Sequence, residues 1–163
     1  MKTPEEMGQK PFTIDDIRSW GPCYDPSRHL PEGWSGTAID ILQHQTIPAH
    51  DKLWVVCREE LIDAKTLRLF AVWCAKQFEH LTTDERCRQA LAVAEQYALG
   101  NATKEQLDAA KTATEAARVD AWRMSATDDG AWDAARVAED AVEDTAGYAA
   151  WSAAEAVARS GIS

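Results

Sequence analysis

Apolar residues recur every three or four positions along most of this chain, which is the spacing of one face of an α-helix. The clearest stripe lies within residues 63–81 and consists of Leu67, Phe70, Cys74, Phe78 and Leu81. Leu69 and Trp73 widen it, so this helix is expected to be buried on more than one side. A second helix is predicted from Thr83, as its N-cap, to Gly100, as its stop. The two helices should form a central antiparallel hairpin.

Shorter helices are predicted before this hairpin. Thr13 can cap one or two helical turns that end near residue 20, and Thr37 can cap a helix that ends near His44. Pro48 suits the first turn of a third helix. The β-branched run 53–57 could instead form a strand, but a helix is preferred because no second strand-like run is present to pair with it.

The composition changes after residue 100, because twenty of the last 63 residues are alanine. Thr103 and Gln106 form a capping box for a helix that reaches about Ser125, and further helices are predicted near residues 129–143 and 147–159. Alanine lets helices approach closely. Large side chains are therefore expected to act as knobs between these helices: Trp122, Trp132, Tyr148 and Trp151.

The predicted fold is an all-α, single-domain, multi-helix bundle. Residues 1–11 are expected to be a flexible N-terminal tail, and residues 12–163 one helical domain. Within it, residues 12–100 form the core, and residues 101–163 form acidic, alanine-rich helices. A chain of 163 residues with 45% hydrophobic and 27% charged residues is typical of a globular protein.

The charge and the hydropathy of the chain limit the classes of binding partner and the cellular compartments that are expected for it. A formal net charge of -10 makes direct binding to nucleic acid unfavourable and favours a basic partner. No apolar stretch is long enough for a membrane span, and the N-terminus lacks the apolar core of a signal peptide, so a cytoplasmic protein is expected. Its cysteines should remain thiols and serve mainly in packing: Cys23, Cys57, Cys74 and Cys87.

No linear signature of catalysis is present, since the sequence lacks HExxH, GxSxG and a phosphate-binding glycine-rich loop. The six-residue spacing of His44 and His50 matches no common zinc motif. We therefore predict no catalytic residue, cofactor or metal site. An enzyme would have to assemble its site from residues that are distant in sequence, such as Cys23, His29, Asp40 and His44.

The most unusual segment is the aromatic loop, residues 20–36, with the sequence WGPCYDPSRHLPEGWSG. Its aromatic and cationic side chains suit a small-molecule pocket or an interface. The candidate binding residues are Trp20, Tyr24, Arg28, His29 and Trp34. The alternative is structural, because a proline-rich loop held over one end of a helical core also needs its aromatic residues for packing.

A second candidate surface is the acidic set of residues 128–144. Its members are Asp128, Asp129, Asp133, Glu139, Asp140, Glu143 and Asp144. If the helices present these carboxylates on one side, they form a docking surface for a basic protein or a mimic of DNA phosphates. The alternative is a solvated helix face that keeps an alanine-rich segment soluble.

Two sections of the chain are similar to a known family: PCYDPSRHLPEGWSGTAIDIL over residues 22–42, and TLRLFAVWCAKQFEHLTTDERCRQALAVAEQYALGNAT over residues 66–103. They resemble the immunity-protein family of bacterial polymorphic-toxin systems and its relatives in phages and prophages. The resemblance implies a cytoplasmic, non-enzymatic protein that binds and neutralises an effector. It identifies neither that effector nor any binding residue.

Two functions follow as hypotheses. In the first, the chain is an inhibitor that uses acidic surface and loop aromatics to occupy a basic site on a toxin or defence protein. For a phage-borne member this would be counter-defence, with CRISPR-type effectors among the targets. In the second, the chain is a sponge that sequesters a nucleotide-type defence signal in a pocket built around the aromatic loop.

Overall fold

A computed structural model of the chain describes residues 10–81, 84–124 and 129–160. These residues are mainly helical, so the all-α fold class is confirmed. The helices are α1 (Ile14–Ser19), α2 (Ala38–Gln43), α3 (Ala49–Val56), α4 (Ala64–Lys76), α5 (Glu85–Ala98), α6 (Lys104–Met124), α7 (Asp129–Ala141) and α8 (Ala146–Ser160). Of the predicted flexible tail, residues 1–9 lie outside the described residues, and Lys10 and Pro11 are exposed.

The contacts divide the chain into two compact units, Met1–Asp63 and Ala64–Ser163. The boundary coincides with the start of α4, not with residue 101, where the composition changes. That residues 12–163 behave as one domain stays a prediction.

The helices on either side of the aromatic loop begin at two capping boxes. The Thr13 hydroxyl accepts from the Asp16 N–H at 3.2 Å, and the Asp16 carboxylate accepts from the Thr13 N–H at 2.7 Å. Thr37 and Asp40 make the same pair of bonds at 3.3 and 2.7 Å. These bonds favour the ionised carboxylates and lower the pKa of both aspartates. Both predicted N-caps are confirmed.

A short antiparallel pair joins the two ends of the aromatic loop. Strand β1 (Phe12–Thr13) pairs with strand β2 (Ser35–Gly36), with Phe12 opposite Gly36. Strands of two residues are too short to show an alternating pattern, so the sequence did not predict this pair. The run 53–57 is helical up to Val56 and Cys57 follows the last turn, so the preference for a helix there is confirmed.

Helices α4 and α5 pack against each other as the predicted hairpin. Leu67, Cys74 and Phe78 are buried, as the hydrophobic stripe predicts. Leu81 is 37% exposed, so its assignment to the core was wrong. The reason is that α4 ends at Lys76 and a 3₁₀ turn follows, so the helical spacing does not continue to Leu81.

The N-cap of α5 is Asp84, one residue after the predicted Thr83, which lies outside the described residues. The Asp84 carboxylate accepts from the Arg86 N–H at 2.9 Å and so satisfies one of the free amides of the first turn. The helix ends as predicted, with Gly100 at a φ of +80°, a conformation that glycine adopts without steric cost.

The C-terminal helices begin and end close to their predicted positions. The Thr103 N–H donates to the Gln106 side chain at 2.7 Å, which confirms the capping box of α6. The predicted knobs are only partly correct, because Trp122 is 71% exposed and Tyr148 is 51% exposed. Alanines such as Ala149, Ala150 and Ala153 are fully buried instead, since small side chains let the helices approach closely.

One leucine occupies the centre of an otherwise small-residue cluster in the second unit. Leu107 of α6 is completely buried. Its buried neighbours in the cluster are Val72, Ala90, Ala94, Ala110 and Val142. Three helices, α4, α5 and α6, and the residue that follows α7 therefore contribute to this cluster.

A buried arginine caps the C-terminus of α7. Arg68 of α4 is 3% exposed, and its guanidinium donates to the carbonyl oxygens of Ala141 at 3.2 Å and Asp144 at 3.1 Å, and also to that of Glu143. The last carbonyls of a helix lack partners within the helix and carry partial negative charge. Arg68 satisfies them and joins α4 to the turn between α7 and α8.

Candidate functional site

The aromatic loop has a defined turn at its centre. The Asp25 carboxylate accepts from the Ser27 N–H at 3.0 Å and starts a 3₁₀ turn over Pro26–Arg28. The Leu30 N–H then donates to the Pro26 carbonyl at 3.0 Å. Pro26 and Leu30 are both buried, so the middle of the loop is anchored in the first unit.

The two tryptophans of the loop pack against β1. The ring centroids of Trp20 and Trp34 each lie 5.5 Å from that of Phe12, one tilted and one edge-on. Such separations are typical of attractive aromatic pairs. Phe12 is buried and both indoles are half-buried. Two of the five predicted binding residues therefore help to hold the loop over β1.

The other three predicted residues lie in the middle of the loop. Tyr24 and His29 form an edge-on pair with centroids 6.3 Å apart. Burial, with a smaller contribution from the charge of Asp51, raises the pKa of Tyr24 to about 12, which keeps its phenol protonated at neutral pH. Arg28 is exposed and forms no ion pair with the residues described. Within the described residues, no ring pair or hydrogen bond joins this group to the two tryptophans.

Two residues beyond the loop complete the aromatic cluster. The guanidinium carbon of Arg58 lies 3.9 Å from the ring centroid of Trp54 and 4.9 Å from that of Trp20. Trp54 lies in the last turn of α3, and Arg58 lies two residues beyond the end of this helix. The contact with Trp20 could not be predicted, because 38 residues separate it from Arg58.

Replacing Gly36 with alanine should destabilise the first unit by about 1–3 kcal/mol. A Cβ atom at Gly36 would lie 2.5 Å from Cζ2 of the Trp34 indole and 3.1 Å from a carboxylate oxygen of Asp40. The indole is held against Phe12 and has little room to move. Urea unfolding measures the effect. The matched control is Ser35→Ala in the same strand, where the side chain is exposed; equal stability of the two variants would contradict this prediction.

Most of the described acidic set is paired with cations of α6. Asp128 lies outside the described residues, and only the backbone of Asp129 is described. The inter-helix pairs are Glu139 with Arg118 at 2.5 Å, Glu143 with Lys111 at 2.8 Å, and Asp144 with Lys104 at 2.9 Å. These carboxylates are engaged within the molecule and do not form a free row of negative charge.

The three cations that hold these carboxylates follow a regular spacing that the sequence analysis missed. Lys104, Lys111 and Arg118 are seven residues apart, which places them on one face of α6. They alternate with the buried positions Leu107 and Thr114. A cationic seven-residue repeat beside a buried face indicates ion pairing with a neighbouring helix.

The remaining acids of the set are paired within α7. Arg136 lies 3.9 Å from Asp133 and 3.3 Å from Asp140. Asp140 is largely buried, and this burial raises its pKa although the charge of Arg136 opposes the shift. Each acid of the set whose side chain is described therefore has a cation within 2.5–3.9 Å.

A pocket of about 470 Å³ opens in the second unit. It is lined by Phe78, Trp132, Asp133, Arg136, Ala156 and Arg159. This volume suits a small molecule. However, both lining arginines already have carboxylate partners, since Arg136 lies beside Asp140 and Arg159 lies 2.6 Å from Glu155. An anionic ligand would have to compete with these pairs.

The surface of α6 opposite its buried face carries both acidic and large apolar side chains. We call it the α6 outer stripe, consisting of Glu105, Asp108, Thr112, Glu115, Val119 and Trp122, all of them exposed. Successive members are three or four residues apart, so they follow one side of the helix. Glu115 forms no ion pair with the described residues, and Trp122 exposes 71% of its surface. Sequence reasoning placed Trp122 between helices and missed this face.

The four cysteines differ in exposure. Cys57, Cys74 and Cys87 are buried, as a packing role requires, whereas Cys23 is exposed in the aromatic loop, so its assignment to packing was wrong. Burial raises the pKa of the Cys74 thiol to about 11, so this side chain is not a thiolate at neutral pH.

Asp40 and His44, which were also considered for an enzyme site, interact with residues close to them in sequence. Asp40 is engaged in the cap of α2, and His44 Nδ1 lies 3.4 Å from the Thr46 amide. The described ranges contain no cluster of three or more histidine, cysteine or acidic side chains suited to a metal ion.

Two further findings concern membrane-spanning helices and similarity to known proteins. Among the residues placed by the structure, none of the helices combines the length and the apolar character needed to cross a membrane. In comparisons with known proteins, no family model, no curated protein and no solved structure matches the chain.

Proposed function

We propose that this chain is a non-enzymatic inhibitor that binds a bacterial toxin or defence effector through the α6 outer stripe. The observation that carries the proposal is Trp122, an indole that is 71% exposed and lies one helical turn from the exposed Val119. Tryptophan is enriched among the residues that dominate binding energy in protein interfaces. A helix face that carries three carboxylates and ends in two exposed apolar side chains suits a groove on a partner.

Charge defines the kind of partner that fits this stripe. Glu105 and Glu115 are exposed carboxylates without an ion pair among the described residues, and Asp108 is paired only with Lys104 of the same helix. From Glu105 to Trp122 the stripe is about 26 Å long, at 1.5 Å per residue. The complementary surface is a groove with a basic rim and an apolar pocket for the indole. Such basic grooves are common where proteins bind nucleic acid, and covering one would block an effector.

The resemblance to immunity proteins and their phage-borne relatives supports the same interpretation. Under it, the chain is cytoplasmic and acts as phage or prophage counter-defence, with CRISPR-type effectors among the targets. The acidic set of residues 128–144 is not the main contact in this proposal, because its described carboxylates are used in ion pairs.

The test begins with co-purification from the native bacterial host, using the tagged full-length chain. A stoichiometric protein partner is expected, and its activity should fall when the chain is added. Trp122→Ala should weaken the affinity at least about 30-fold, which corresponds to a hot spot of about 2 kcal/mol. The stability of this variant should stay within about 0.5 kcal/mol of the native value, since the indole is exposed.

Trp73→Ala is the matched control, because it removes another exposed indole, 56% accessible, from α4. Its affinity should stay close to native. Equal losses in both variants, or none in Trp122→Ala, would exclude the α6 outer stripe. Failure to recover any protein partner while the effector is expressed would refute the inhibitor function itself.

A further inference from the structure

Arg58 is enclosed by aromatic side chains in the first unit. Its guanidinium carbon lies 3.9 Å from the centroid of the Trp54 ring and 4.9 Å from that of Trp20. Both distances fall within the range of cation–π contacts. Burial also lowers the pKa of Arg58 from its ordinary value, although the charge of Glu60 opposes this shift.

The donors of this guanidinium are not used within the described part of the chain. Arg58 Nε is buried and has no hydrogen-bond acceptor there, and no carboxylate lies within ion-pair distance. By contrast, Arg18 pairs with Glu32 at 2.5 Å and Arg86 with Asp84 at 2.7 Å. Buried polar groups in proteins are normally hydrogen-bonded, so the enclosed Nε without an acceptor is an exception.

The arrangement leaves one part of the guanidinium for a ligand. The guanidinium carbon lies over the ring of each indole, and Nε is enclosed. Of its nitrogens, only Nε is buried without a partner in the described structure, so the two Nη atoms stay open to solvent. The edge formed by two guanidinium nitrogens matches two oxygens of a carboxylate or phosphate.

We propose that Arg58, which lies beside Trp20 and Trp54, is a binding site for a single oxyanion of the phosphate or carboxylate class. This site lies in the first unit and goes beyond the inhibitor function, which rests on α6. The aromatic walls fix the orientation of the guanidinium, so little side-chain entropy is lost when the anion binds. The low local polarity strengthens the charge-assisted hydrogen bonds.

The primary experiment follows the arginine Nε–H signals of the full-length chain by ¹⁵N NMR. Sodium phosphate and sodium acetate are titrated separately, with sodium chloride keeping the ionic strength constant. We expect the Arg58 signal to shift and to reach saturation with one of these anions, which then identifies the ligand class. The signal of the exposed Arg28 is the internal control and should not saturate. Absence of a saturable Arg58 shift with both anions would overturn the proposal.

Variants provide a second measurement. The effective anion should raise the thermal midpoint of the native chain and of Arg28→Met, but not that of Arg58→Met. Arg58→Lys keeps the charge and loses the planar fork, so its affinity for the anion should fall at least 10-fold. If Arg58→Met does not fold, the NMR titration of the native chain still tests whether Arg58 binds the anion. An equal rise in the midpoint of folded Arg58→Met would show a general salt effect and refute the site.

Discussion

Replacing Arg68 with methionine should lower the free energy of unfolding by about 3–5 kcal/mol, the range found when one partner of a buried charged interaction is removed. The side chain is 3% exposed and donates to the carbonyls of Ala141, Glu143 and Asp144. Methionine keeps much of the side-chain volume, so the loss reports on the hydrogen bonds and not on a cavity. Urea unfolding followed by circular dichroism measures the difference.

Lys65→Met is the matched control for Arg68→Met. It removes a cation from an exposed position of the same helix, and we expect a change of no more than about 0.5 kcal/mol. If Arg68→Met and Lys65→Met are equally stable, the guanidinium does not stabilise the end of α7. Arg68→Lys should recover only part of the loss, because one ammonium cannot reproduce the fork that spans carbonyls of residues 141–144.

Replacing Leu107 with alanine should cost about 3–4 kcal/mol, within the range for truncation of a buried leucine. Leu107 is completely buried, and three of its five buried neighbours in the cluster are alanines. Alanine cannot adopt another rotamer to fill a vacated space, so the cavity should persist. Thermal and urea unfolding both measure the loss.

Leu99→Ala controls for the change of side chain. Leu99 is 44% exposed at the end of α5, so the same truncation there should cost less than about 1 kcal/mol. A Leu107→Ala variant as stable as Leu99→Ala would mean that the surrounding residues close over the missing side chain. In that case the packing of the second unit would be more adaptable than this cluster indicates.

The local features of the fold were predictable because their partners are close in sequence. The boxes of Thr13 with Asp16, Thr37 with Asp40, and Thr103 with Gln106 each join residues three positions apart. Their residue types are sufficient to identify them. The hydrophobic spacing also predicted Cys74 and Cys87 as buried, since each lies on the apolar face of a long helix.

The candidate sites could be predicted only in part, because their contacts join distant residues. The composition of the aromatic loop indicated a special segment, but Arg58 has no signal that connects it with Trp20. Likewise, the acidic set was apparent as a count of charges, whereas its pairing with α6 depends on how two helices face each other. Trp122 was misplaced because an indole in an alanine-rich helix suggests packing, and the structure leaves it exposed.

The hydrogen bonds of the Arg68 side chain can form only late in synthesis on the ribosome. The acceptors of its guanidinium lie 73 to 76 residues further along the chain. At about 5–20 residues per second, the ribosome needs roughly 4–15 s to add that length. Until then, α4 has emerged without the segment that satisfies its buried cation. The segment Met1–Asp63 forms a compact unit by itself, so it can be complete while the second unit still awaits its last helices.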